Sequence, residues 1–248
     1  MHDWITPCWP APANVKALFT TRSGGVSSGA NGVYASLNLG AHVNDDPAHV
    51  IRNRALLRHH LPNEPKWLKQ VHGTLPIWID ETEAETPQGD AVLSRTQGTV
   101  CAVMVADCLP VFLCDKAGAK VGIVHAGWRG LAGGIIEQSV AAMQGDCGSL
   151  MAWLGPAIGP DRFEVGSDVY DAFVQHDAQA AQAFKFRESG HEKKWLADIF
   201  LLARQRLNSC GITEIYGGGV CTYSDPARFF SYRRDGETGR MAALIWLE

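Results

Sequence analysis

His72 in Lys69-Gln70-Val71-His72-Gly73, Cys108 in Ala106-Asp107-Cys108-Leu109-Pro110, and His125 in Val124-His125-Ala126-Gly127-Trp128-Arg129-Gly130 are the residues of this chain best suited to do chemistry together. Two imidazoles and a thiolate are an ordinary ligand set for zinc. Three protein ligands also leave a fourth tetrahedral position open, as catalytic rather than structural sites do. The intervals of 36 and 17 residues are too long for a zinc finger or ribbon, so a fold must bring the three together. Each follows an apolar run and precedes glycine or proline, which predicts that all three stand where strands leave a sheet. No short motif with fixed mechanics spans them. Spacing alone therefore also admits two hydrogen-bonded histidines and an inert buried cysteine.

Neighbouring residues extend the set. Asp107 is a candidate general base or acid beside a metal-bound water, provided the strand has ended before it; otherwise it caps a turn. The glycine-rich segment from Gly127 through Gly130 opens a helix, whose free N–H groups attract anions, and Arg129 adds a charged fork. A phosphate or carboxylate held there would lie close to His125. A tight turn with a solvent-facing arginine is the alternative. Arg22, beside Gly24-Gly25, is a weaker version of the same anion site. Arg233 and Arg234 serve either a substrate or surface ion pairs.

The elements that would position these residues are legible as apolar runs. Strands are expected over Val15–Thr20, Trp67–Val71, Thr99–Val105, Val111–Cys114, Lys120–Val124, Leu150–Leu154 and Ile215-Tyr216. A helix starting at Asp45-Asp46-Pro47 should run through Val50, Leu57 and Leu61 until Pro62 stops it. A second should run from Gly130 through Ile135, Ile136 and Val140. A third carries Leu196, Ile199, Phe200, Ala203 and Leu207 on one face and stops at Gly211. The acidic stretch from Asp80 to Pro87 reads as a solvated loop.

A chain of 248 residues with 46% hydrophobic and 19% charged residues is that of a globular protein with a substantial core. A net charge of −4 gives no basic footprint for nucleic acid, and no apolar run approaches a membrane span. Seven cysteines without a dense framework, behind an N-terminus lacking a signal-peptide pattern, lead us to expect free thiols and a cytoplasmic protein.

The three ligand segments resemble the YfiH, or laccase-domain, family, as do Gly155-Pro156-Ala157-Ile158-Gly159-Pro160, Thr21-Arg22-Ser23-Gly24-Gly25-Val26-Ser27 and Phe229-Phe230-Ser231-Tyr232-Arg233-Arg234-Asp235. The resemblance implies one mixed α+β domain over residues 1–248, of the cytotoxic-necrotising-factor/YfiH-like type (CNF1/YfiH-like), with sheets layered between helices. It further implies zinc on His72, Cys108 and His125, and a purine nucleoside phosphorylase that also deaminates adenosine and cleaves S-methyl-5′-thioadenosine. Purine nucleosides and phosphate are then the small-molecule partners. Copper, suggested by the family's older oxidase label, suits the chain less well: nine histidines include no His-x-His pair, and a single type-1 copper would need a distant methionine such as Met104. Three other readings stay open. They are a hydrolase working through Cys108 and His125, an enzyme editing peptidoglycan precursors, and a metal-stabilised interaction protein without turnover.

Overall fold

The β-branched runs form strands whose alternate side chains enter different cores, and that period of two sets the architecture. The computed structural model describes residues 2–143, 147–189 and 192–248. In chain order the strands are β1 (Val15–Phe19), β2 (Pro65–Lys66), β3 (Pro76–Trp78), β4 (Ala91–Ser94), β5 (Val100–Val105), β6 (Leu109–Asp115) and β7 (Val121–Ala126). They continue with β8 (Leu150–Leu154), β9 (Glu164–Val165), β10 (Phe184–Ser189), β11 (Glu192–Ala197), β12 (Ile215–Gly217) and β13 (Met241–Leu247). The helices are α1 (Pro47–Arg58), α2 (Trp128–Gly133), α3 (Ile135–Met143), α4 (Ser167–Val174), α5 (Ile199–Ser209) and α6 (Tyr232–Asp235).

Two sheets dominate, one ordered β1-β13-β5-β2 and the other β12-β8-β6-β7-β4-β3, with β10-β11-β9 forming a small third. On β5, Cys101, Val103 and Val105 share a core with Phe112 of β6, Ile123 of β7 and Trp153 of β8. Val100 and Ala102 of the same strand face the opposite way, towards Leu37, Leu39 and Leu57 of α1. Leu109, Val111 and Leu113 of β6 likewise turn from Phe112 towards Ile136 and Val140 of α3 and Phe200 and Leu207 of α5. The order through the molecule is helix, sheet, sheet, helices. This is the expected mixed α+β arrangement, and both faces of each sheet are covered, which is why the strands read as continuous apolar runs. No helix among the described residues is long and apolar enough to cross a membrane.

Several local expectations need correction. Trp67–Val71 is not a strand: β2 ends at Lys66, and only Lys69 pairs further, bridging Gln88. Helix α1 is capped by Asp46, which accepts from the N–H of Ala48, and ends at Arg58 before Leu61. Asp45 is buried instead against Ser27 and Asn38. The helix expected from Gly130 is two helices, because Gly134 at φ 100° closes α2 before α3 begins. Leu196 belongs to β11; Asp198 caps α5 by accepting from Phe200 and Leu201, so the helix starts after it. The acidic stretch begins in a short 3-10 turn, Ile79–Glu81, where Asp80 accepts from Ser94 and Arg95.

Two connections matter for the site. The β2–β3 and β5–β6 segments each carry the chain from the four-stranded sheet to the six-stranded one. His72 lies on the first crossing and Cys108 on the second.

The layer between the sheets depends on Phe112, fully buried and packed edge-on against Trp153 at 5.2 Å. Phe112→Ala is expected to lower unfolding stability by ~3–5 kcal/mol, read from urea melts. A loss below about 1 kcal/mol would mean that the sheets close over the gap.

Candidate metal centre and active-site cavity

His125 is buried near the end of β7, where its neighbours in β6 and β4 fix the backbone by register. Its backbone N–H donates to the carbonyl of Asp90, and its Nδ1 donates to the Asp90 carboxylate at 2.9 Å. That leaves Nε2 as the nitrogen available to a ligand. The same carboxylate accepts from three successive backbone N–H groups, those of Val71 (3.1 Å), His72 (2.9 Å) and Gly73 (2.7 Å). Consecutive N–H groups cupped around an anion form a nest, and this one holds His72 at φ 58°, a left-handed conformation that is costly for a residue with a side chain. Asp90 is fully buried. Burial opposes its charge, but the His125 ring and the N–H groups of Gly73 and Val71 hold its carboxyl below the ordinary value.

Cys108 reaches the same place from the second crossing. Asp107, at φ 86°, turns the chain so that Cys108 faces the histidines. The Asp107 carboxylate is fully engaged: it accepts from the hydroxyls of Thr222 (2.6 Å) and Ser231 (2.9 Å) and from the N–H of Arg233 (2.7 Å). Both oxygens accept bonds that hold the turn, and Asp107, expected from the sequence as a proton carrier, is not among the residues lining the cavity beside Cys108.

One ligand atom from each of His72, Cys108 and His125 lies within 4.8 Å of the others, and Cys108 Sγ stands 3.8 Å from His72 Nε2. Among the described residues this is the one cluster of three or more His, Cys or acidic side chains set to hold a metal. The donor set suits a divalent ion with bonds of ~2.0–2.3 Å. Gly127 makes the approach feasible: a Cβ there would fall 2.8 Å from His72 Cδ2 and 3.1 Å from Cys108 Sγ. A Cβ on Gly130 would strike the Gly73 carbonyl at 2.8 Å. Close packing is thus sufficient reason for both glycines.

The group opens into a cavity of about 1030 Å³ that also exposes Tyr232, Trp67 and Met104. Its wall carries Arg54, Lys66, Lys69, Arg129 and Arg240 against Glu64 and Glu85, a cationic surface inside a chain of net negative charge. Arg129 is exposed on this wall, its guanidinium 4.4 Å over the Trp128 ring. Arg22 and Arg233 do not line the cavity. Arg22 donates to the carbonyls of Ala35, Pro226 and Gly32 and stacks on Phe230, so it fastens loops. Arg233 donates to the Glu164 carbonyl. Burial, above any neighbour, lowers the pKa of both Arg54 and Arg240. Asp90 and the lining residues Arg54, Arg240 and His42 escape a reading of sequence alone, because none sits in a motif and each reaches the site only through the fold.

A family model described as multi-copper polyphenol oxidoreductase laccase matches residues 16–248. The chain belongs to this laccase-domain family. Over the full length of both chains it is 50% identical to a purine nucleoside phosphorylase of Pseudomonas aeruginosa and to YfiH, a purine nucleoside phosphorylase of Escherichia coli. A Neisseria meningitidis protein of known crystal structure superposes with a TM-score of 0.93 at 51% identity over 99% of each chain. YlmD of Geobacillus stearothermophilus follows at 0.85 and 30%, over 99% of this chain and 96% of its own.

In this laccase-domain site, Cys108 and His125 titrate as a pair. Burial resists the thiolate, yet His125 and His72 pull the Cys108 pKa down to about 6. Burial likewise resists the imidazolium, while the Cys108 thiolate and Asp90 raise His125 to about 9. In metal-free protein, thiolate absorbance should therefore reach half its amplitude near pH 6, a value belonging to the pair. A midpoint in the ordinary thiol range near 9 would break the assignment. Asp90→Asn keeps the shape but lets the nest and the His125 ring go slack. Metal affinity is expected to fall ~10–100-fold, measured by competition with a chromophoric chelator, and unchanged affinity would show that His72 and His125 orient themselves.

Proposed function

We propose that this protein is a zinc-dependent purine nucleoside phosphorylase that also deaminates adenosine and cleaves S-methyl-5′-thioadenosine. One observation carries the reading: a His-Cys-His group with an open fourth position faces a cavity whose wall is cationic. The names of the full-length relatives support the phosphorylase part of this reading. A zinc ion held there supplies Lewis-acid charge and lowers the pKa of water. Several copper ions, as a multi-copper oxidase needs, would require further imidazole clusters, and the described residues offer this one.

In phosphorolysis a phosphate oxygen bonds to the anomeric carbon as the carbon–nitrogen bond to the purine breaks, its electron pair leaving with the base. The proton balance closes internally. Hydrogen phosphate loses its proton on becoming a dianionic ester, and the purine takes one up. Methylthioadenosine follows the same course with a methylthio-substituted sugar. Deamination exchanges the C6 amine for water and releases ammonia. Arg129, with Lys66 and Lys69, offers incoming phosphate an exposed cation on the cavity wall, and the exposed Tyr232 ring gives the purine an apolar face to lie on.

A second reading rests on a specific arrangement. Cys108, His125 and Asp90 form a nucleophile, base and orienting acid, the constellation of a thiol hydrolase when no metal is bound. Metal occupancy separates the two. Metal-loaded wild type should convert inosine and phosphate to hypoxanthine and ribose 1-phosphate, and a chelator should stop it. Cys108→Ala should lose the metal and at least about a hundredfold in kcat/KM, in line with several kcal/mol of metal-derived stabilisation. Cys101→Ala, in a fully buried strand position away from the cavity wall, should retain both. Turnover that survives chelation but not Cys108→Ala would favour the hydrolase; turnover that survives both would sink the two together.

A further inference from the structure

The arginines of this chain divide into two groups. Arg22 spends its guanidinium on three carbonyls. Arg234 donates to the carbonyls of Thr222, Tyr223 and Phe229 and to Asp235, and Arg206 pairs with Glu137. Arg54 and Arg240 differ. Arg54 uses Nε and Nη2 on the single carbonyl of Leu39 and lies 4.4 Å over the Trp67 ring. Arg240 uses Nη1 on the carbonyls of Thr238 and Gly239. Nη1 of Arg54 and both Nε and Nη2 of Arg240 have no protein acceptor among the described residues, and neither guanidinium has a carboxylate within 4.0 Å there. Both are partly buried and line the cavity into which the His72, Cys108 and His125 group opens. Two partly buried cations, braced by carbonyls and with no carboxylate in contact, present free N–H groups that an anion in the cavity can take up.

We propose that Arg54 and Arg240, with His42 beside them, are the seat of free inorganic phosphate during the reaction, and that Arg129 serves its entry. The inference rests on the phosphorylase reading and adds to it the residues that hold the second substrate. Hydrogen phosphate brings two negative charges for two guanidinium forks and one O–H that needs an acceptor. Partial desolvation on the cavity wall and the fields of Arg240 and Arg54 lower the pKa of the solvent-reaching His42 ring, and a neutral imidazole can accept that O–H. His42 also feels His125, and Arg240 feels Cys108, so the seat adjoins the metal group.

The same tetrahedral dianion could arrive as the ester of a nucleotide, and the test separates the two sources. Inorganic phosphate and adenosine 5′-monophosphate are each titrated calorimetrically into metal-loaded wild type, Arg54→Gln and Arg240→Gln. Steady-state KM values for phosphate and for inosine are measured in parallel. Loss of one charge-assisted contact should weaken phosphate binding and raise the phosphate KM by ~10–100-fold, with the inosine KM within about twofold of wild type. Arg54→Lys and Arg240→Lys keep the charge but lose the fork, and should fall between. They also carry the test if a Gln variant melts early. Unchanged phosphate affinity in both Gln variants overturns the inference and leaves the phosphorylase reading intact. Dependence on these arginines for the nucleotide alone also overturns it. Phosphate binding that needs both arginines, in a protein that cleaves no purine nucleoside, would keep the seat and remove the phosphorylase reading.

Discussion

The carboxylate of Asp90 is the interaction on which the site depends. One buried anion gathers three backbone N–H groups from the β2–β3 crossing and the ring of His125 from β7, while its own carbonyl accepts from the His125 backbone. It stands immediately before β4, which pairs with β7, so the sheet register and the site geometry are set by the same few bonds. A buried charge is tolerated only when its lone pairs are filled. Here each donor that fills them also orients a ligand-bearing segment.

The sandwich explains why the site lies where it does. Among the connections that pass between sheets, β2–β3 and β5–β6 both run from the four-stranded sheet to the six-stranded one, and each turns sharply on the way. Both turns place a non-glycine residue at positive φ, His72 at 58° and Asp107 at 86°. Such conformations persist only where surrounding bonds over-determine them. Asp90 does this for the first crossing, and Thr222, Ser231 and Arg233 do it for the second through the side chain of Asp107. The last of these groups come from the segment leading into β13, so the end of the chain secures a turn near its middle. Candidate metal ligands carried on such braced turns are held more rigidly than loop residues generally are.

What the sequence disclosed follows from what period and composition can encode. Apolar runs located β5 to β8, and residue chemistry selected His72, Cys108 and His125 from nine histidines and seven cysteines. Period two tells which face a side chain takes but not which sheet receives it. The passage of β5 and β6 into different sheets was therefore invisible, and with it the crossing that gives Asp107 a holding role. Trp67–Val71 looked like a strand because its residues are extended and partly apolar. In the structure the Gln70 amide substitutes for part of a ladder, accepting from the Met104 N–H and donating to its carbonyl. Arg22 looked like an anion binder beside glycines, but an arginine surrounded by turns finds backbone carbonyls first. Arg54 and Arg240 carried no local signal, since an arginine is distinguished from its neighbours only by what it lacks in three dimensions.

Charge balance connects the two halves of the cavity. The Cys108 thiolate and the Asp90 carboxylate together carry two negative charges beside two imidazoles that are neutral when they act as ligands. A divalent ion in that group is thereby neutralised by its own surroundings, and little net charge is left over to attract a second anion. On the proposed phosphorylase reading, the dianionic substrate must then find its counter-charge elsewhere in the cavity, within a chain that is negative overall. The wall provides it in Arg54 and Arg240, which have no carboxylate partner among the described residues, and in the exposed Arg129. Were either inner arginine paired with an aspartate, the cavity would be electrostatically complete without substrate, and a phosphate would have to displace a protein carboxylate to enter. The arrangement found leaves the deficit for the ligand to fill.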